Sequence, residues 1–185
     1  MLESSRITLI TGSASSGKSE FAEVLAAKSK ETVVYIATAQ IDETDREWQA
    51  KIAKHQQRRP KSWQTFTASS QLPTYIEEAE ASTCLLIDSL GTWVANFLEW
   101  EVSSWQQLID RFLFSLQITK AEIIIVSEET GWGVVPAYAS GRLFRDRLGY
   151  LSRQVANIAS TTYLVAGGHV LDLGLLGKPL NKYKI

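Results

Sequence analysis

The chain has one cysteine, one methionine, two histidines and four prolines among its 185 residues. A lone cysteine, Cys84, excludes an intramolecular disulfide and a cluster of thiolate metal ligands. With only His55 and His169, a zinc site would have to lean on carboxylates. Neither sign of charge is in excess: nineteen Lys and Arg oppose twenty Asp and Glu, a net charge of -1. That balance argues against nucleic acid as a partner bound through a broad basic footprint. Long apolar runs are also lacking. The most apolar segments, 84–98 and 123–126, are too short or too interrupted to form an integral membrane segment. Leu2 to Arg6 is short and polar, unlike a secretory leader, so the cytoplasm is the expected location. There is no internal repeat, low-complexity tract or linker rich in Pro, Gly or Ser, and one domain over 1–185 is the simplest count.

What is present is an ordinary globular composition, 45% hydrophobic and 21% charged. Short apolar runs alternate with longer amphipathic stretches, the pattern of a mainly parallel α/β sheet with helical crossovers on both faces. Strands are expected at 7–11, 32–37, 83–87, 122–127 and 162–166. Helices are expected at 19–29, 45–57, 92–100, 104–116 and, despite Gly149, 142–160.

Gly12-Ser13-Ala14-Ser15-Ser16-Gly17-Lys18-Ser19 fits G-x-x-x-x-G-K-[ST] between a predicted strand and a predicted helix. The glycines let consecutive N–H groups turn inward around phosphate oxygens, and the helix start adds its unpaired donors. Lys18 is expected to reach the outer phosphates, and Ser19 to offer its hydroxyl to Mg²⁺. Asp88, ending the run Leu85-Leu86-Ile87, is the natural second acidic group for that cation. Thr38, Ala39, Gln40, Glu128 and Glu129 fall at the same carboxyl edge, where parallel sheets bind ligands. Glu128 and Glu129 would either meet Mg²⁺ or face water.

A phosphate loop alone leaves many activities open. The segment from Lys51 to Trp63 is more informative, because His55 stands among Lys51, Lys54, Arg58 and Arg59. Cations on all sides favour anions and a neutral imidazole, which is a competent nucleophile toward phosphorus. On its own, a histidine on a basic helix is more often just an exposed side chain.

The order of motifs resembles a known family, the bifunctional adenosylcobinamide kinase and adenosylcobinamide-phosphate guanylyltransferase of cobalamin biosynthesis. The resemblance runs from the phosphate loop through Tyr35-Ile36-Ala37-Thr38 to Lys51, Ile52, His55, Arg59, Pro60 and Trp63. It continues in Leu86-Ile87-Asp88-Ser89-Leu90, Asn96-Phe97-Leu98 and the loop Glu129-Thr130-Gly131-Trp132-Gly133-Val134-Val135-Pro136. Arg142, Phe144-Arg145-Asp146, Gly149 and the strand from Tyr163 to Ala166 close it.

The resemblance implies a phosphate-loop NTPase-like fold, a homotrimer, and a corrinoid substrate used with GTP or ATP and Mg²⁺. It implies that His55 attacks the α-phosphate of GTP and carries GMP, with Lys18 the second catalytic group. Residues 12 to 19 would bind the triphosphate. Ala37, Thr38, Ala39, Gln56, Gln57, Arg58 and Arg59 would contact the nucleotide, as would Asp88. Thr67 stands where the family usually has a nucleotide-contacting glutamate, Lys51 where an arginine is common, and Ser152 where many members have asparagine. The alternative is a small-molecule kinase or NTPase that never carries a nucleotide covalently. Of the six tryptophans, most are expected in the core or between subunits, with Trp132 the candidate to touch a corrin or base. Cys84 is expected to pack in the core and His169 to sit in a turn.

Overall fold

The computed structural model describes residues 6–39 and 58–182. Their centre is one sheet of seven strands: β1 (Ile7–Gly12), β2 (Thr32–Ala37), β3 (Gln64–Thr67), β4 (Thr83–Asp88), β5 (Glu122–Glu128), β6 (Thr161–Ala166) and β7 (His169–Asp172). The order across the sheet is β3-β2-β4-β5-β1-β6-β7. Every pair is parallel except β6 with β7, which forms an antiparallel hairpin. Its two-residue turn, Gly167-Gly168, takes positive φ at both positions (56° and 75°), which glycine adopts without penalty.

Apolar side chains alternate strictly along the central strands, so each strand supplies both faces. Leu9, Ile36, Leu85, Ile87, Ile123 and Ile125 point to one face. Helices α2 (Leu72–Glu77), α3 (Leu90–Ala95), α4 (Val102–Ile118) and α5 (Ala139–Ile158) cover it, around Trp93 and Phe112. Ile10, Tyr35, Leu86, Ile124, Val126 and Val165 point to the other, where α1 (Lys18–Lys28) lays down Ala22 and Ala26. Cys84 packs in this second layer, and burial pushes its thiol up to about 12. Arg147 fixes α5 to the segment after α3: it donates to the carbonyls of Phe97 (2.7 Å) and Trp100 (3.1 Å) and lies 4.8 Å from the Trp105 ring centroid. A short α6 (Leu173–Leu176) follows β7, capped by the Asp172 carboxylate.

The mainly parallel sheet with helices on both faces is the architecture expected from sequence, and all five expected strands are present. The short elements β3, α2, β7 and α6 are additional, with no counterpart in the sequence expectations. The expected helix at 92–100 instead starts at Leu90, where Ser89 and Thr92 form a reciprocal capping box, and ends at Ala95. The expected helix at 45–57 lies outside the described residues.

Candidate active site at the carboxyl edge of the sheet

The phosphate-loop motif occupies the turn between β1 and α1. Gly17 sits at φ 92° immediately before the helix, and Ser15 at φ 57°. No side chain caps α1, so its first N–H groups are open to a ligand. Gly12 is required by crowding: a Cβ there would lie 2.5 Å from the Val165 carbonyl oxygen and 2.7 Å from Ser16 Oγ. Among the described residues, Ser16 Oγ itself is shielded from water and has no hydrogen-bond partner. An orphaned hydroxyl, open N–H groups and a buried Lys18, whose Nζ reaches the Ser13 carbonyl at 3.2 Å, together fit a chain of phosphates.

Asp88 ends β4 two strands away, and its carboxylate is gripped from both sides. Ser19 donates to Oδ1 at 3.3 Å and Tyr35 to Oδ2 at 3.1 Å. Burial and the Asp88 charge hold the Tyr35 phenol well above its ordinary range, so it remains a donor. The Arg59 guanidinium lies 3.7 Å from the centroid of the Tyr35 ring, and Arg58 pairs with Glu20 (2.6 Å) and Glu23 (3.2 Å) of α1. Thus Arg59, Tyr35, Asp88 and Ser19 form a continuous polar path toward the phosphate loop. Among the described residues no group of three or more His, Cys, Asp or Glu could hold a metal ion. One hydroxyl with one carboxylate nevertheless suits Mg²⁺, which keeps waters and takes phosphate oxygens.

A second polar cluster braces this edge. Thr38 is buried, its hydroxyl donating to the Ser89 carbonyl at 2.6 Å and accepting from the Ser89 N–H at 2.9 Å. Asn96 donates to the Thr38 carbonyl at 2.7 Å. Both Glu128 oxygens are taken, one by the Ser89 hydroxyl (2.6 Å) and one by the Gly91 N–H (2.9 Å). Ala37 and Thr67 are register partners on β2 and β3, with Thr67 exposed.

Glu129 behaves differently from its neighbour: among the described residues its carboxylate accepts one bond, from the Thr11 hydroxyl at 2.6 Å. Beside that pair opens a cavity of about 330 Å³ between β1, the loop carrying Trp132, and α5. Trp132 is 70% exposed, whereas Trp93 and Trp105 are buried.

Residues 8–173 match the family described as cobinamide kinase / cobinamide phosphate guanyltransferase. The chain belongs to that family. It is 42% identical over 178 residues to the bifunctional adenosylcobalamin biosynthesis protein CobP of Pseudomonas aeruginosa, covering 93% of this chain and 98% of the relative. It is 35% identical to the bifunctional adenosylcobalamin biosynthesis protein CobU of Escherichia coli, covering 86% and 95%. Among solved structures, an ATPase from a bacterial type III secretion system superposes with a TM-score of 0.52 at 10% identity, covering 85% of this chain and 50% of that one. A Pyrococcus horikoshii protein (PH0250) gives 0.52 at 6%, covering 90% and 85%. These two likenesses show the phosphate-loop fold alone.

In this cobinamide kinase / guanyltransferase family member, an enzyme, the predicted loop residues Gly12 to Ser19 and Asp88 come together at one edge. Ala37, Arg59 and Thr67 line the neighbouring strands β2 and β3. Thr38 is at that edge too, but its side chain is spent on the Ser89 brace. His55, Gln56, Gln57 and Gln40 lie outside the described residues. The sequence reading did not single out Tyr35 as the partner of Asp88, nor Glu128 as a brace. A tyrosine on a strand otherwise buried on that face was the available signal for the first.

Proposed function

We propose that the chain runs both family reactions as a single phosphate-loop unit. It phosphorylates the aminopropanol hydroxyl of adenosylcobinamide with ATP or GTP, then transfers GMP from GTP to that phosphate. The observation that supports this best is the phosphate cradle itself: buried Lys18, the orphaned Ser16 hydroxyl and the Ser19–Asp88 pair, all at one strand edge. In the transfer, a ring nitrogen of His55 forms a bond to the α-phosphorus of GTP. The bond from that phosphorus to its bridging oxygen breaks, and pyrophosphate leaves. The phosphate of the corrinoid then displaces the histidine, giving adenosylcobinamide-GDP. Dividing one displacement into two is what a nucleophilic side chain contributes.

Lys18 and the loop N–H groups neutralise charge on the phosphates. Ser19 and Asp88 are the residues that would hold Mg²⁺, which supplies further charge neutralisation when bound. Arg58, paired with Glu20, and Arg59, over the Tyr35 ring, would contact the nucleotide.

We place the enzyme in the cytoplasm; no helix among the described residues is long and apolar enough to cross a membrane. The resemblance implies a homotrimer, and the exposed Val134 (94%), Tyr138 (81%) and Leu175 (86%) are apolar side chains that subunit contacts could cover. The direct test is purified protein with adenosylcobinamide, Mg²⁺ and GTP. Adenosylcobinamide phosphate, adenosylcobinamide-GDP and pyrophosphate are expected. Nucleotide hydrolysis indifferent to the corrinoid would replace this reading with a simple NTPase.

A further inference from the structure

The cavity beside Thr11 and Glu129 has no role in the nucleotide chemistry above. Its wall includes Leu9 and Thr11 of β1, Glu129, Trp132, Gly149 and Arg153. We propose that this cavity is the acceptor pocket: it receives the hydroxyl-bearing arm of the corrinoid, with Glu129 at its inner end holding that hydroxyl and taking its proton. The inference rests on the kinase reading and locates the substrate that the reading requires.

Position is the first argument. Thr11 directly precedes Gly12, so the cavity's inner end adjoins the phosphate loop. Leu9 packs in the layer that faces α5, whereas α1 lies on the opposite face. An acceptor in the cavity would therefore approach the phosphates from the side away from α1.

Glu129 is the second. Glu128 ends β5 and Glu129 follows it; Glu128 has both oxygens occupied by Ser89 and Gly91. Glu129 is anchored through one oxygen only, by Thr11, and no other hydrogen bond to it is made among the described residues. A carboxylate fixed at one oxygen and open at the other suits a hydroxyl donor.

Gly149 is the third. It sits within the twenty-residue helix α5, where glycine costs helix stability relative to alanine. Among the described residues no packing demands it: a Cβ there would meet nothing within 4 Å, and its φ is not positive. What its missing side chain leaves is room in the cavity. The volume suits an aminopropanol arm but not a corrin macrocycle, which would stay outside near the exposed face of Trp132. Arg153 and Arg145, both on the wall, supply cations for the phosphate formed at the end of the arm.

In the step itself, the acceptor oxygen forms a bond to the γ-phosphorus. The bond from that phosphorus to the bridging oxygen breaks, and the nucleoside diphosphate leaves with the electron pair. The hydroxyl proton passes to Glu129 and then to water.

The test is a series at Gly149, to Ala, Leu and Trp, in the full-length enzyme. G149A is expected to melt no lower than the parent. G149W is expected to raise the KM for adenosylcobinamide at least tenfold and to weaken its binding equally in equilibrium dialysis without nucleotide. The KM for the nucleotide should stay within twofold. E129Q should lower kcat for phosphoryl transfer by about 10²–10⁴ with a smaller effect on KM, the range removed with a general base. A folded G149W with unchanged acceptor KM and binding overturns the pocket, as does one whose nucleotide KM rises instead. Parent-like kcat in E129Q overturns the role of Glu129. If the parent enzyme neither binds nor phosphorylates adenosylcobinamide, the kinase reading itself falls, which is a distinguishable result.

Discussion

The Tyr35 hydroxyl donates to Oδ2 of Asp88 at 3.1 Å, bridging the carboxyl ends of β2 and β4. Because Ser19 holds the other oxygen, Tyr35 sets the angle at which Asp88 faces the phosphate loop. Tyr35→Phe removes this bond at a stability cost of about 1 kcal/mol. If Asp88 helps to hold Mg²⁺, the Mg²⁺ concentration for half-maximal activity should rise several-fold, with little change at saturating Mg²⁺. A magnesium titration of the kinase reaction checks this; an unchanged curve would remove Asp88 from the metal site.

Gly12→Ala tests the crowded start of the phosphate loop. Its Cβ would press on the Val165 backbone carbonyl, which cannot rotate aside as a side chain would. A loss of about 1–3 kcal/mol is expected, together with weakened nucleotide binding. Urea unfolding and a nucleotide titration measure the two effects separately.

The brace around Thr38 makes a third prediction. Thr38→Val keeps the shape but removes the two shortest bonds to the Ser89 backbone, whose N–H keeps only a longer bond to Thr92 Oγ1 (3.3 Å) and whose carbonyl keeps the Thr92 hydroxyl and the Trp93 N–H. Each lost hydrogen bond contributes about 0.5–1.5 kcal/mol, so the free energy of chemical unfolding should fall by that order. A substitution at exposed Thr67 should shift it by less than about 0.5 kcal/mol.

Alkaline pH should weaken the fold. Burial raises both Cys84 and Tyr35, so each is neutral in the folded chain and ionises sooner once unfolded. Their contribution is fully present below about pH 9, the thiol's unperturbed value, and is lost as pH rises toward about 12. Thermal melts across that window should show the decline, and Cys84→Ala should flatten part of it. A buried thiol should also resist alkylation until the chain unfolds.

Much of this architecture is legible in the chain because burial on both faces writes short, unbroken apolar runs, as at Leu85-Leu86-Ile87 and Ile123-Ile124-Ile125-Val126. Strand β3 escapes because Gln64-Thr65-Phe66-Thr67 lies exposed at the sheet edge and carries no burial pattern. Helix α2 escapes through its shortness, six residues with Pro73 in the first turn. Strand β7 had a signal: Gly167-Gly168 between two β-rich stretches is a hairpin turn, and His169 opens the returning strand. At the site, the phosphate loop is a contiguous motif and therefore readable. The pairings Tyr35–Asp88, Thr11–Glu129 and Glu128–Ser89 are made across strands, and adjacency of that kind follows from strand order, which no local pattern specifies.

The covalent nucleotide on His55 is the central claim, and one measurement reaches it directly. The protein is incubated with Mg²⁺ and GTP labelled at the α-phosphate, then denatured. Label is expected to stay on the chain, survive alkali, be lost in acid and be absent from His55→Ala. A folded, GTP-binding sample that retains no label would contradict that claim.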